Sequence, residues 1–285
     1  MAISVKNYGN LKKTKSCTAI FVDNNSIIDT YDEKYKTLDT TTFGKKYNLL
    51  INSSLYNLPS IKNSLPTCFL ISNNNGKKLI ITARHVLEYG LIKTISSTLD
   101  ELFTKISVVF GYDDMHNNHS IATKEIFKIV GVYNDTYNAK TNPHDFVILE
   151  IKDENNLLDK KQSSIQIGKL SETEIEIDNN IYTQGYPYGM PLYKSYGKLE
   201  AKETKKTGYY ISSLSAFNGH SGSPVFNSNH EIIGIIFGGS GDFEYVKKKT
   251  NKKTEVFRKL KYRKFKLEKE NGIYILPIKN IINYL

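Results

Sequence analysis

Short runs of β-branched and aromatic residues, punctuated by turn clusters, limit most narrowly how this chain can fold. Cys68–Ile71, Leu79–Thr82, Ile106–Phe110, Phe127–Tyr133, Phe146–Ile151, Ile181–Tyr186, Tyr209–Leu214, Ile232–Phe237 and Ile273–Leu276 are such runs. Several are rich in Ile, Val, Phe and Tyr, which suit a pleated surface. Asn73-Asn74-Asn75-Gly76 and Asn227-Ser228-Asn229 separate them as turns. Thr173–Ile177 alternates with period two and predicts a half-buried strand. Helical periodicity is sparse: Leu91–Lys105 predicts a helix or part of one, and Lys279–Leu285 a short amphipathic helix at the end. Many short strands and few helices predict an all-β sandwich or barrel. At 285 residues the chain has room for one large β domain or two small ones, and no internal repeat is visible.

The first 45 residues read as an N-terminal extension, with Ala19–Val22 and Ser26–Ile28 as a hairpin that adds an edge or packs on the body. Met1–Lys13 is polar and lacks the apolar core of a secretory signal. A cytoplasmic location is expected, or a secreted one if the chain is a processed form. Lys12, Lys13 and Lys15 lie in a stretch that a processing enzyme could reach. No apolar stretch approaches the roughly 20 residues of a membrane span. Cys17 and Cys68 make no disulfide framework. His116 and His119 form an H-x-x-H in a polar stretch and read as part of a solvated loop; no cofactor is expected.

The net charge of +10 is concentrated in one place. Residues 247–270 hold twelve Lys or Arg against three Glu, leaving the rest of the chain nearly neutral. Phe257, Leu260, Tyr262, Phe265 and Leu267 are interleaved with these basic residues. Three readings stand open: a solvated hairpin or loop extension, a field that steers acidic substrates or a partner protein, and a face that binds nucleic acid or an anionic surface.

Three further places carry chemistry. Phe217–Asn227 presents Ser221 among glycines at a sharp turn before an apolar run. His85 ends the stretch Leu79–Arg84, and Asp145 opens Phe146–Ile151. A serine hydroxyl is a weak nucleophile without a base in reach, and His is the side chain that titrates near neutrality. A carboxylate abutting an apolar strand needs a partner. Asp145 would hold His85 in one tautomer and stabilise its imidazolium. Asp135 and Asp153 are rival acids, but neither leads an apolar strand. The backbone N–H groups of Gly219 and Ser221 are the expected donors to the oxyanion.

These blocks resemble those of chymotrypsin-like serine endopeptidases, in the chain order His, Asp, Ser. Thr82-Ala83-Arg84-His85 resembles T-A-A-H, Asp145–Leu149 resembles D-I/F/L-A-L/V-L, and Gly219–Pro224 resembles G-D/N-S-G-G/S-P. The bacterial glutamyl endopeptidase branch, which often reads G-N-S-G-S-P-V-F-N, is more similar still. Gly185–Gly189 is similar to the G-Y-P-x-G of that branch and of high-temperature-requirement proteases, and Gly272–Pro277 precedes the last helix. The resemblance covers roughly residues 50–285 and departs from the pattern at Arg84 and Ser223.

It implies a double six-stranded Greek-key β-barrel with the site between barrels and a short C-terminal helix. The first barrel would span 46–165 and carry His85 and Asp145. The second would span 166–285, carry Ser221 and include the basic insertion 246–270. The resemblance also implies an acyl-enzyme mechanism on polypeptide substrates. It places Ser215 at the base of the specificity pocket and Phe237, Gly238 and Gly239 along its wall. The glutamyl branch typically reads G-I-H-W/S-G at Gly234–Gly238; Ile236 replaces that histidine, so an apolar or small primary residue is expected rather than Glu. The competing reading is a non-catalytic or latent binding module that uses residues 246–270. A hydrolase of esters is a third.

Overall fold

The computed structural model describes residues 16–46, 59–62, 64–72, 75–87, 98–112, 120–135, 144–154, 156–160, 165–202, 208–239, 243–250, 253–260 and 272–285. The pair His116 and His119, the lysines 12, 13 and 15, and residues 91–97 of the expected helix lie outside these. The chain forms two closed, wholly antiparallel six-stranded barrels. The first contains β1 (Thr18–Asp23), β2 (Ser64–Ser72), β3 (Lys78–Thr82), β4 (Ile106–Val109), β5 (Ile126–Asn134) and β6 (Val147–Lys152). The second contains β7 (Asn180–Gly185), β8 (Tyr193–Lys202), β9 (Tyr210–Ser212), β10 (Pro224–Phe226), β11 (Ile232–Gly239) and β12 (Ile273–Pro277). The first closes in the order β1-β2-β3-β6-β5-β4, and the second repeats that order as β7-β8-β9-β12-β11-β10. Each barrel thus has the same Greek-key path, and closure leaves no free sheet edge.

β1 corrects the expectation that residues 1–45 are an extension that adds an edge or packs on the body. Ala19 pairs with Cys68 on one side, and Phe21 with Val108 on the other, so this strand closes the first barrel. Its reading as an unbroken apolar run has a packing cause. Ala19 and Phe21 belong to the main core, whereas Ile20 and Val22 lie in a second cluster with Tyr186 and Leu192. Successive residues of a strand face opposite ways, and here both faces are covered. Cys17 and Cys68 are buried, free thiols; burial pushes Cys17 up to about 12, and Cys68 well above the ordinary range, further raised by Cys17.

One other expectation is corrected. Thr173–Ile177 is not a strand: Ile175 is buried, but Ile177 is half exposed and the segment joins no ladder. The expected short C-terminal helix takes the form of two 3-10 helical segments, Ile278–Asn280 and Ile282–Tyr284, rather than an α-helix. A few residues after Pro277 are too few to offset the cost of nucleating an α-helix. Those turns still close the fold. Ile278 and Ile281 join the main core, and the Leu285 and Tyr284 carbonyls accept from Tyr133 Oη at 3.2 Å and Asn134 Nδ2 at 3.1 Å. Leu99–Lys105 is helical, with the Thr98 hydroxyl accepting the Glu101 N–H. Phe243–Thr250 and Lys253–Leu260 pair as an antiparallel ribbon outside the barrels, in the basic insertion between β11 and β12. Among the described residues no helix is long and apolar enough to cross a membrane.

Candidate active site

The register of β3 against β6 brings His85 and Asp145 together. Val147 pairs with Thr82, so the residues just beyond these strand ends emerge side by side. Asp145 sits at the apex of a tight turn, in which the Phe146 N–H donates to the His144 carbonyl at 3.0 Å. One carboxylate oxygen accepts the His85 main-chain N–H at 2.8 Å, and the other lies 2.5 Å from His85 Nδ1. The opposite ring nitrogen, Nε2, lies 3.0 Å from Ser221 Oγ. The three side chains form one hydrogen-bonded line from the first barrel into the second.

The rival acids have other partners. Asp135 pairs with Arg84 Nε at 2.7 Å, and Asp153 accepts the Leu157 and Leu158 N–H groups, each at 2.9 Å. The charge introduced by Arg84 is therefore neutralised beside the cleft.

Ser221 owes its position to two glycines. Gly219 has φ +99 and Gly222 φ +84, in the left-handed region that side chains resist. A Cβ on Gly222 would meet the Thr67 carbonyl and Thr82 Oγ1 at 2.2 Å each, and one on Gly219 the Tyr186 carbonyl at 2.6 Å. At both points the nucleophile loop lies directly against other backbone. Its amides alternate in use. Those of His220 and Gly222 donate to the Phe217 and Ile236 carbonyls at 2.9 and 2.7 Å. Those of Gly219 and Ser221 have no acceptor among the described residues.

Thr67 carries a role that the sequence did not reveal. Its N–H and Oγ1 both donate to the Gly219 carbonyl, at 3.0 and 2.7 Å. The same hydroxyl accepts the Tyr186 N–H at 3.0 Å, and the Thr67 carbonyl accepts from Thr82 Oγ1 at 2.8 Å. A first-barrel strand thus latches the loop of the second barrel. In sequence Thr67 looks like any β-branched strand former; only its place one residue before Cys68 in an apolar run hints that its hydroxyl needs partners.

A cavity of about 210 Å³ opens beside Ser221 and His85. Ala216, Phe217, Ile236, Phe237, Gly238, Gly239 and Ile273 line it together with the polar Asn218. The ring of Phe237 packs against Tyr209 and Tyr274, with centroids at 4.3 and 6.1 Å. Ser215, the expected pocket base, does not line this cavity. Its N–H donates to Ser195 Oγ at 2.8 Å, tying it back to β8, and the neighbouring Ala216 lines the space instead.

Comparison with known proteins follows the same lines. A family model described as a trypsin-like peptidase domain matches residues 66–235. The chain is 28% identical over 240 residues to a glutamyl endopeptidase of Staphylococcus epidermidis, covering 74% of this chain and 79% of the relative. Among solved structures, an inactive form of Rv3671c from M. tuberculosis aligns at 11% identity with TM-score 0.45, covering 94% of this chain and 84% of that one. A serine endoprotease from Yersinia pestis aligns at 14% identity with TM-score 0.46, covering 81% and 58%.

Proposed function

The chain belongs to the trypsin-like peptidase family and is a serine protease, and from that premise we propose that it cleaves polypeptides through an acyl-enzyme on Ser221. The observation that carries this reading is the unbroken line from Asp145 to His85 Nδ1 and from His85 Nε2 to Ser221 Oγ. Asp145 accepts the Nδ1 proton, which leaves the Nε2 lone pair facing the serine hydroxyl. As Ser221 Oγ attacks the substrate carbonyl carbon, its proton passes to Nε2, and Asp145 stabilises the imidazolium. The negative charge that develops on the carbonyl oxygen falls to the uncommitted amides of Gly219 and Ser221. His85 then gives its proton to the leaving amine. Water, deprotonated by the same nitrogen, releases the acyl group and restores Ser221.

The relative's name specifies glutamate, but the cavity here suits a different primary residue. Its wall carries no Lys or Arg, and His85 is the one ionisable side chain among the described residues that line it. A glutamate seated there would lose its hydration without gaining a cation, which is costly. Ile236, fully buried where the resembled motif carries histidine, offers no donor. The preferred residue on the acyl side of the scissile bond is accordingly apolar, with Phe237, Gly238 and Ala216 about it.

The test is labelling with an organophosphonate serine-hydrolase probe, read by intact and peptide mass spectrometry. Stoichiometric adduct on Ser221, lost in H85A, is expected. Absence of adduct on active-concentration protein, or an adduct elsewhere, would overturn the reading and favour a binding module on a protease fold.

A further inference from the structure

We propose that His220, immediately before the nucleophile, is a positioning residue whose neutral imidazole fixes the loop that carries the oxyanion donors. The inference rests on the assignment of Ser221 as nucleophile and of the Gly219 and Ser221 amides as those donors.

His220 is completely buried. It engages Phe217 twice. Its own N–H donates to the Phe217 carbonyl at 2.9 Å, and its Nδ1 accepts the Phe217 N–H at 3.0 Å. The histidine therefore closes the turn Phe217–His220 from both edges, with Asn218 and Gly219 held between. Its carbonyl also accepts the Ser223 N–H at 2.8 Å, extending the brace past Ser221. No main-chain bond substitutes for the ring: without Nδ1 the Phe217 N–H loses its acceptor.

An Nδ1 that accepts must be unprotonated, so the proton of the neutral ring sits on Nε2. That atom is buried and has no partner among the described residues. The Tyr193 ring stands perpendicular to the imidazole at 5.7 Å, and the Phe217 ring is tilted at 6.3 Å. A second proton would turn Nδ1 into a donor facing a donor, and would leave a buried cation with no anion to answer it. Burial holds the imidazole down at about 4, against an ordinary value of 6.5.

The groups around the ring offer no charge in exchange. Tyr193 faces it from β8, and a Cβ on Gly185 would meet the edge of the ring together with Ser223 Oγ and Thr67 Oγ1, none of them charged. His85 lies beyond the adjoining Ser221, hydrogen-bonded to it. Protonated His220 and an ordered loop thus exclude one another. One imidazole thus moves the proton and the other holds the loop.

The experiment follows both on the full chain. Imidazole ¹⁵N spectra read the tautomer and charge of His220 whether or not the protein turns over substrate. A neutral ring with its proton on Nε2 at pH 5 is expected; a proton on Nδ1, or an imidazolium at that pH, overturns the proposal. Steady-state kinetics on an apolar-site peptide then compare wild type, H220A and H220N. H220A should lose about 100-fold or more in kcat, as expected when an oxyanion donor is displaced, with KM nearly constant. H220N supplies a non-titrating amide oxygen to the Phe217 N–H and should recover most of that loss. Below about pH 4, log(kcat/KM) should fall more steeply with pH in wild type than in H220N, by up to about one unit of slope. Wild-type kcat in H220A, or equal slopes, would also overturn it. Failure of the Ser221 reading shows separately, as full activity in S221A.

Discussion

Asp145 holds His85 by two atoms at once, taking the main-chain N–H on one oxygen and ring Nδ1 on the other. The double attachment fixes both the position of the residue and the rotation of its ring. D145N tests which of these matters for rate. An amide can keep the main-chain bond through its oxygen, but its NH₂ then faces Nδ1 and demands a lone pair there. The ring proton moves to Nε2, where it blocks uptake of the Ser221 proton. A fall in kcat of about 10⁴ is expected, with KM and far-UV circular dichroism nearly unchanged. A loss below tenfold would mean that the carboxylate charge and tautomer are dispensable.

Arg84 stands directly before His85, yet its partner is Asp135. Both side chains are about one-fifth exposed, so desolvation offsets much of their attraction and the pair is worth about 1 kcal/mol. R84A and D135A should each leave kcat/KM within about threefold of wild type, and a double-mutant cycle in urea should give a coupling of that size. A hundredfold loss of kcat/KM in R84A alone would assign the guanidinium a role in substrate binding.

Thr67 ties the barrels together at the nucleophile loop. In T67V the shape is kept, but the Gly219 carbonyl retains only the main-chain donor and the Tyr186 N–H loses its acceptor. A stability loss of about 1–3 kcal/mol is expected for the buried group left unpaired. The loop shift should lower kcat/KM by about 10- to 100-fold, as small misplacements of reacting groups do. Denaturation midpoints and kinetics read the two effects separately; an unchanged rate would show that the latch is purely structural.

Gly238 gives a clean test of specificity. A Cβ there would find Tyr274 Cδ2 at 3.6 Å, ordinary contact, and its backbone is not in the left-handed region. G238V should therefore fold normally while filling part of the cavity. Cleavage after Leu or Phe should fall about 10- to 200-fold relative to cleavage after Ala, the range that one or two methylene-sized misfits produce. An unchanged ratio would place the primary residue elsewhere.

The parts of the molecule legible in sequence share a cause, as do the parts that were not. Runs such as Leu79–Thr82 and Ile232–Phe237 declare strands because their side chains must pack on a pleated surface. β1 looks the same in sequence, but its pairing with strands far along the chain is a tertiary choice that Ala19–Val22 alone does not encode. Thr173–Ile177 has the period of a strand without a neighbour to pair with. The resemblance places Ser215 at the pocket base, but neighbouring residues face different surroundings: Ser215 is tied to Ser195, and Ala216 lines the cavity. Thr67 escaped because a hydroxyl's partners lie in another barrel.

His220 makes a last prediction, on stability. Its folded value of about 4 lies below the unfolded 6.5, so between these pH values the unfolded chain binds a proton that the folded chain refuses. Stability from this group is fully present above pH 6.5 and is lost as pH falls through the window toward 4, below which the loss levels off. A shift of this size corresponds to about 3 kcal/mol. Urea unfolding of wild type at pH 7 and pH 4 should differ by about that much more than the same comparison in H220N. Parallel curves for the two proteins would mean that the buried ring takes up its second proton without cost.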